Sequence, residues 1–173
     1  AFENIQARIR GTILMTQSNQ TNALVLTTGN KSELAIGFCT QYGDMCGALA
    51  VIGDLYKTQV YELSQFLNQD TPCIPEFILT VPPSAELRHN QKDTDRLPDY
   101  SILDPILKAI IENRHDRDWL INQGFDTNTI DEIFKLIQRN EYKRRQAPPV
   151  LKISTKSFGP GRRFLISSTL PAG

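Results

Sequence analysis

The chain has 173 residues, of which 40% are hydrophobic and 22% charged, and its 19 basic and 19 acidic residues cancel. That is enough chain for one domain with a core, the composition is ordinary for a soluble globular protein, and no apolar run approaches the ~20 residues of a membrane span. Three cysteines without a CxxC pair and two distant histidines argue against a disulfide framework, a zinc site or a histidine-driven triad, and fit reduced thiols in a cytoplasmic setting.

Residues 3–18, ENIQARIRGTILMTQS, read as a helix, with Ile5, Ile9 and Ile13 recurring on one face and Asn4 and Arg8 sharing another. A polar turn spans 19–22. Residues 23–28 read as a buried strand of parallel-sheet type. Residues 31–39 read as a short helix, 40–44 as a turn, and 47–53 as a small apolar segment flanked by glycines. A helix is expected over 58–67, with Val60, Leu63 and Leu67 inward and Lys57 just before it. A lysine there opposes the helix dipole. It is either a solvated side chain or one that holds a phosphate together with the helix N-terminus.

Residues 71–98 carry five prolines and read as an extended segment followed by a mobile charged loop over 86–97. Ser101 and Asp104 read as a capping box, with Pro105 in the first turn of a helix running to about Asn113. Residues 116–122 form a further helix, Gly124-Phe125-Asp126 a break, and 127–145 a helix with the stripe Ile130, Ile133, Phe134 and Ile137. The segment 148–173 reads as an extended tail. Residues 142–173 hold seven basic residues and no acidic one, against 12 basic and 19 acidic before them. Such a tail suits phosphates, of a nucleotide or of a nucleic acid.

One corner, TTGNKSE at 27–33, ends the strand and starts a helix. Ligands of open parallel sheets sit beyond such strand ends. The hydroxyls of Thr27 and Thr28, the backbone at Gly29 and the N–H groups of the next helix suit an anionic ligand, and Glu33 suits Mg²⁺. A plain capped turn, with Glu33 as an N-terminal acid, accounts for the same residues equally well.

In this order, the stretches ENIQARIRG, LVLTTGNKSELAIG, QYGD, LYKTQVYEL, PPSAELR, QKDTD and NEYKRRQAPPVLKIS closely resemble the NAD⁺ synthetase family. The resemblance is greatest to the synthetase half of the glutamine-dependent branch, and it runs from about Asn4 to Arg163. It implies an α/β fold, the C-terminal part of a Rossmann-like parallel-sheet ATP-pyrophosphatase domain with a mainly helical C-terminal half. Residues 1–70 would be the nucleotide-binding part, 71–98 the extended segment and loop, 99–147 the helical part and 148–173 the tail. The implied reaction is ATP- and Mg²⁺-dependent amidation of deamido-NAD⁺ to NAD⁺ through an adenylate. By position, Asn4, Arg8, Glu33, Asp44 and Lys143 match deamido-NAD⁺ contacts. Thr28, Lys57 and Ser84 match ATP contacts, and Glu33 also a Mg²⁺ ligand. Gln41 and Tyr142 stand where the ammonia-only branch tends to carry lysine and histidine.

The family's SGGxDS phosphate loop and its glutaminase domain do not occur in this sequence. The expectation is therefore a part of a longer homodimeric enzyme, inactive alone, without nucleic-acid or membrane partners. Two other classes compete. One is a nucleic-acid module built on the basic tail, against which stands the lack of an RNA-binding signature. The other is a non-catalytic nucleotide-binding or dimerisation remnant of the same fold.

Overall fold

The computed structural model describes residues 2–166. A long helix α1 (Phe2–Thr21) leads into strand β1 (Leu26–Thr27), helix α2 (Lys31–Ile36), strand β2 (Leu49–Ala50) and helix α3 (Lys57–Leu67). Then follow α4 (Glu76–Thr80), a 3-10 turn (Asp93–Asp95), α5 (Tyr100–Ile111), α6 (Arg117–Asn122), α7 (Thr127–Arg139) and α8 (Glu141–Arg144). The final seven residues of the expected tail, 167–173, lie outside the described residues.

The sheet is parallel, with Leu26 opposite Leu49 and Thr27 opposite Ala50. Val150 adds a parallel bridge beside Ala50 on the far side. The partner of β1 thus comes from the small apolar segment at 47–53, which local pattern did not mark as a strand. Two residues of pairing are too few to leave a periodic signal.

The core is helical. Leu34, Ala35 and Ile36 of α2 pack with Leu103, Ile106, Leu107, Ile110 and Ile111 of α5 and with Ile130, Ile133, Phe134 and Ile137 of α7. The expected stripe of α7 is therefore the buried one. Its helix, however, ends at Arg139 rather than continuing to 145. Asn140 interrupts it, because its Nδ2 donates to Ile36 O (2.8 Å) and Leu136 O (2.9 Å). α2 stops at Gly37, whose φ of 73° is left-handed, a geometry that glycine adopts without strain.

The helix expected over 3–18 is present as α1, with its Ile5, Ile9 and Ile13 face exposed and the helix anchored through Ala7 and Gly11. Several other expectations are corrected. The expected buried strand is mostly open: Leu24 and Leu26 are exposed, and among the described residues β1 is paired on one edge only. Helix α3 buries none of its residues, and Leu63 and Leu67 face out. The segment 71–98 contains α4 and the 3-10 turn rather than being wholly extended. Asp99, not Ser101, caps α5 by accepting from Ser101 N at 2.8 Å. Pro105 therefore lies beyond the first turn, and Asp104 is buried. No helix among the described residues is long and apolar enough to cross a membrane.

Candidate functional site

The corner at 27–33 is locked before any ligand arrives. Asn30 and Glu33 form a reciprocal capping box: Glu33 N donates to Asn30 Oδ1 (2.9 Å) and Asn30 N to Glu33 Oε2 (3.1 Å). Lys31 N donates to Leu55 O at 2.8 Å. The N–H groups of Asn30, Lys31 and Glu33 are thus spent within the protein. The same holds at α3, where Lys57 N donates to Ser32 Oγ (3.0 Å) and Thr58 N to Asp104 Oδ2 (2.8 Å). A side chain at Gly29 would meet only Glu33 Oε2, 4.0 Å away, so its Cα faces open space.

That space is a cavity of about 750 Å³. Asn4, Thr28, Glu33, Asp44, Lys57, Ser84 and Lys143 line it, together with Gly29, Gln91, Asp93 and Arg96. Seven of the eight residues singled out from sequence are thus brought together from α1, the corner, the 40–44 turn, α3, the 84–96 loop and α8. Arg8 is the one outside. Its Nε donates to Gln41 O at 3.2 Å, tying α1 to the turn beside the cavity.

Glu33 is the electrostatic centre. Burial raises its pKa from 4.5 to about 7, although Lys57, 3.8 Å away, and the Asn30 N–H pull it down. Asp93 and Asp44 add to the rise. The sign for stability follows directly. A carboxyl that holds its proton more tightly when folded favours the folded state at low pH, and this contribution is lost as pH rises from about 4.5 to about 7. Glu33→Gln keeps the acceptor of the capping box. It is expected to be more stable than the parent chain at pH 8 and no more stable at pH 4. The difference in urea midpoints across that range is the check, and a flat difference would show that Glu33 is not desolvated.

Lys143 reaches the cavity but is not a free cation. Its Nζ donates to Gly37 O (2.7 Å) and Cys39 O (2.8 Å), closing the end of α2. Arg144 next to it is buried and bonded to Glu141, Leu34 O, Ala35 O and Ile137 O. The basic tail is therefore partly internal scaffold rather than a phosphate-binding surface. Cys39, also on the cavity wall, has its thiol pushed up to about 12 by burial, with Asp44 contributing. It is a poor nucleophile at neutral pH.

Three groups escaped sequence reasoning. Asp93 is 4% exposed, accepts from Tyr100 Oη at 2.8 Å, and leaves its Oδ1 without a partner. It lies in the quoted stretch QKDTD, but nothing local distinguishes it from a solvated acid. Lys31 is fully buried between Asp54 and Glu112, each at 2.9 Å. Ser32 and Asp104 share a buried hydrogen bond of 2.5 Å. Among the described residues, no group of three or more His, Cys, Asp or Glu is arranged to hold a metal ion by itself. A cation at Glu33 would need ligands from its substrate.

The NAD synthase family model matches residues 1–147. The glutamine-dependent NAD(+) synthetase of Acinetobacter baylyi is 53% identical over 166 residues, which is 95% of this chain and 31% of that protein. That of Thermotoga maritima is 49% identical over 168 residues, 96% of this chain and 29% of that protein. The chain thus spans about 30% of the length of the curated relatives it matches. Among solved structures, an NH3-dependent NAD synthetase from Campylobacter jejuni aligns with a TM-score of 0.61 at 31% identity, over 86% of this chain and 54% of that one. A glutamine-dependent NAD(+) synthetase from Cytophaga hutchinsonii aligns with a TM-score of 0.76 at 24% identity, over 96% of this chain and 28% of that one, and shares the fold. The fold is that of the ATP-pyrophosphatase class, α/β with a parallel sheet. With the family model matching most of its length and relatives near half identical, the chain belongs to the NAD synthase family.

Proposed function

We propose that this chain forms the dinucleotide half and part of the ATP half of a site for ATP-dependent amidation of deamido-NAD⁺. It would work within a longer cytoplasmic, homodimeric enzyme that draws ammonia from glutamine. The observation that carries the reading is the cavity of about 750 Å³ in which Asn4, Thr28, Glu33, Asp44, Lys57, Ser84 and Lys143 converge from six separate segments. These are the positions at which the sequence resembles the family's ligand contacts.

The chemistry asked of such a site is mainly placement and charge neutralisation. An oxygen of the nicotinate carboxylate attacks the α-phosphorus of ATP, and the bond to pyrophosphate breaks. Ammonia then attacks the activated carbonyl carbon, and AMP leaves. Lys57 supplies positive charge beside the phosphates, with Thr28 and Ser84 as hydroxyl donors. Asn4, Asp44 and Lys143 border the dinucleotide side, with Arg8 steadying α1 through Gln41. Glu33 fits Mg²⁺ by its chemistry: it is an oxygen ligand on the cavity wall, with Asp44 and Asp93 lining the same cavity. The ion would neutralise phosphate oxygens. The exposed Ile5, Ile9 and Ile13 of α1 offer an apolar face for a second subunit.

Gly29→Val tests the placement, because the added methyl groups enter the cavity and not the core. Its melting temperature is expected to match that of the parent chain, while calorimetric titration with deamido-NAD⁺ and Mg·ATP shows at least ~10-fold weaker binding, or about 1.4 kcal/mol. Undiminished affinity in Gly29→Val would move the ligand elsewhere. A folded parent chain that binds neither ligand would refute a half-site that is competent by itself.

A further inference from the structure

We propose that Ser32 and Asp104 are positioning residues for Lys57: they fix the first turn of α3 so that the lysine faces the ligand beside Glu33. This rests on the reading of Lys57 given above. Ser32 is completely buried and Asp104 is 4% exposed. Ser32 Oγ donates to Asp104 Oδ1 (2.5 Å) and accepts from Lys57 N (3.0 Å), while Asp104 Oδ2 accepts from Thr58 N (2.8 Å). Two first-turn N–H groups of α3 are therefore capped by residues from α2 and α5. Tyr56, at the helix's own N-cap position, contributes no side-chain cap.

A helix that begins with lysine repels its own dipole. The Asp104 carboxylate offsets that repulsion, and as a charged acceptor it bonds N–H groups more strongly than a neutral cap. A serine or aspartate at position 56 would cap the same turn locally. Taking the cap from α2 and α5 instead ties the start of α3 to the corner that carries Glu33. The helical neighbour of Asp104 at four residues' distance, Tyr100, extends the same device. Its ring lies 5.7 Å from Lys57 Nζ, and that of Tyr61 lies 5.8 Å away. Helix α5 thus sets the lysine's backbone through Asp104 and borders the path of its side chain through Tyr100. Nζ comes to rest 3.8 Å from Glu33 Oε1. Neither Ser32 nor Asp104 lines the cavity, so both act through Lys57.

The test is a double-mutant cycle in the full-length polypeptide carrying this sequence, following NAD⁺ formation from ATP, deamido-NAD⁺ and glutamine. Ser32→Ala and Asp104→Asn are each expected to lower kcat by ~10- to 100-fold, as a shift of about 1 Å in a catalytic group does. The KM for deamido-NAD⁺ should stay within about two-fold. In a Lys57→Met background the same two changes should cost less than ~3-fold, because the group they act through is gone. Equal losses in both backgrounds would assign Ser32 and Asp104 a structural role only, and so would an unchanged kcat in the single variants. Full activity of Lys57→Met would refute the reading of Lys57 itself, and the positioning proposal with it. Should Asp104→Asn not fold, Ser32→Ala decides alone, since it removes one hydroxyl.

Discussion

Lys31→Met is expected to destabilise the chain by about 3–5 kcal/mol, the usual cost of breaking a buried ion pair from one side. Lys31 has no exposed surface. Its Nζ lies 2.9 Å from Asp54 Oδ1, 2.9 Å from Glu112 Oε1 and 2.7 Å from Ser154 Oγ, and 4.8 Å from the centre of the Tyr56 ring. The methionine would leave two carboxylates facing each other with no cation between them. Burial alone would raise the Asp54 pKa. The Ser154 N–H, Lys31 and the Ile153 N–H outweigh it and hold the group below its ordinary value. Without Lys31 that balance fails, and the segment at 153–154 loses part of its attachment to the corner. The measurement is the urea midpoint at pH 7 for the parent chain, Lys31→Met and Lys31→Met/Glu112→Gln. The double variant should recover part of the loss, since it removes one of the stranded charges. A loss under ~1 kcal/mol, typical of exposed pairs, would show that water reaches the network.

Gly11→Val should detach the α1 side of the cavity while leaving the helical core intact. A Cβ at Gly11 would approach Tyr42 O at 2.8 Å, Gly43 O at 2.9 Å and Cys46 Sγ at 3.2 Å. The fit is mutual: a Cβ at Gly43 would meet Ala7 Cβ at 3.0 Å. Helix α1 therefore lies on the 40–46 turn through small residues on both sides, and two of the three obstacles are backbone atoms that cannot rotate away. Overpacking of this kind costs about 1–3 kcal/mol. Here it can be relieved by moving α1, which would break Arg8 Nε to Gln41 O (3.2 Å) and Thr40 Oγ1 to Asn4 Oδ1 (3.4 Å). On the proposed assignment, affinity for deamido-NAD⁺ falls at least ~10-fold, or about 1.4 kcal/mol. Affinity for ATP, bordered by Thr28, Lys57 and Ser84, should fall less. Calorimetric titration with each ligand separately decides it. Equal losses for both would mean that α1 supports the whole site.

Much of this chemistry was legible locally. The stripe of α7 is its buried face because a helix packed on one side repeats its contacts every three to four residues. The turn at Gly29-Asn30 and the acid at Glu33 belong to a cap that closes within four residues. Seven of the eight residues chosen by resemblance line one cavity. The same rules say less at α1, where Ile5, Ile9 and Ile13 share a face with a core-like period and yet lie exposed. Spacing reports that residues share a face, not which neighbour covers it. At Asp104 the rules misled. Three residues after a serine it reads as a capping acid, but its carboxylate serves Ser32 and Thr58.

Sequence alone thus determined the helices with strong apolar periods, the strand-to-helix corner, the family and seven of the residues that line the cavity. These rest on contacts made within a few residues or on motifs read in order. Tertiary structure decided which charges are buried, which helix ends are capped from elsewhere in the chain, and how Lys57 is held. Ser32 meets Asp104 across 72 residues, Lys31 meets Glu112 across 81 and Ser154 across 123. Pairings at such separations leave no local period, because they exist only once α2, α5 and the 150–154 segment have packed together.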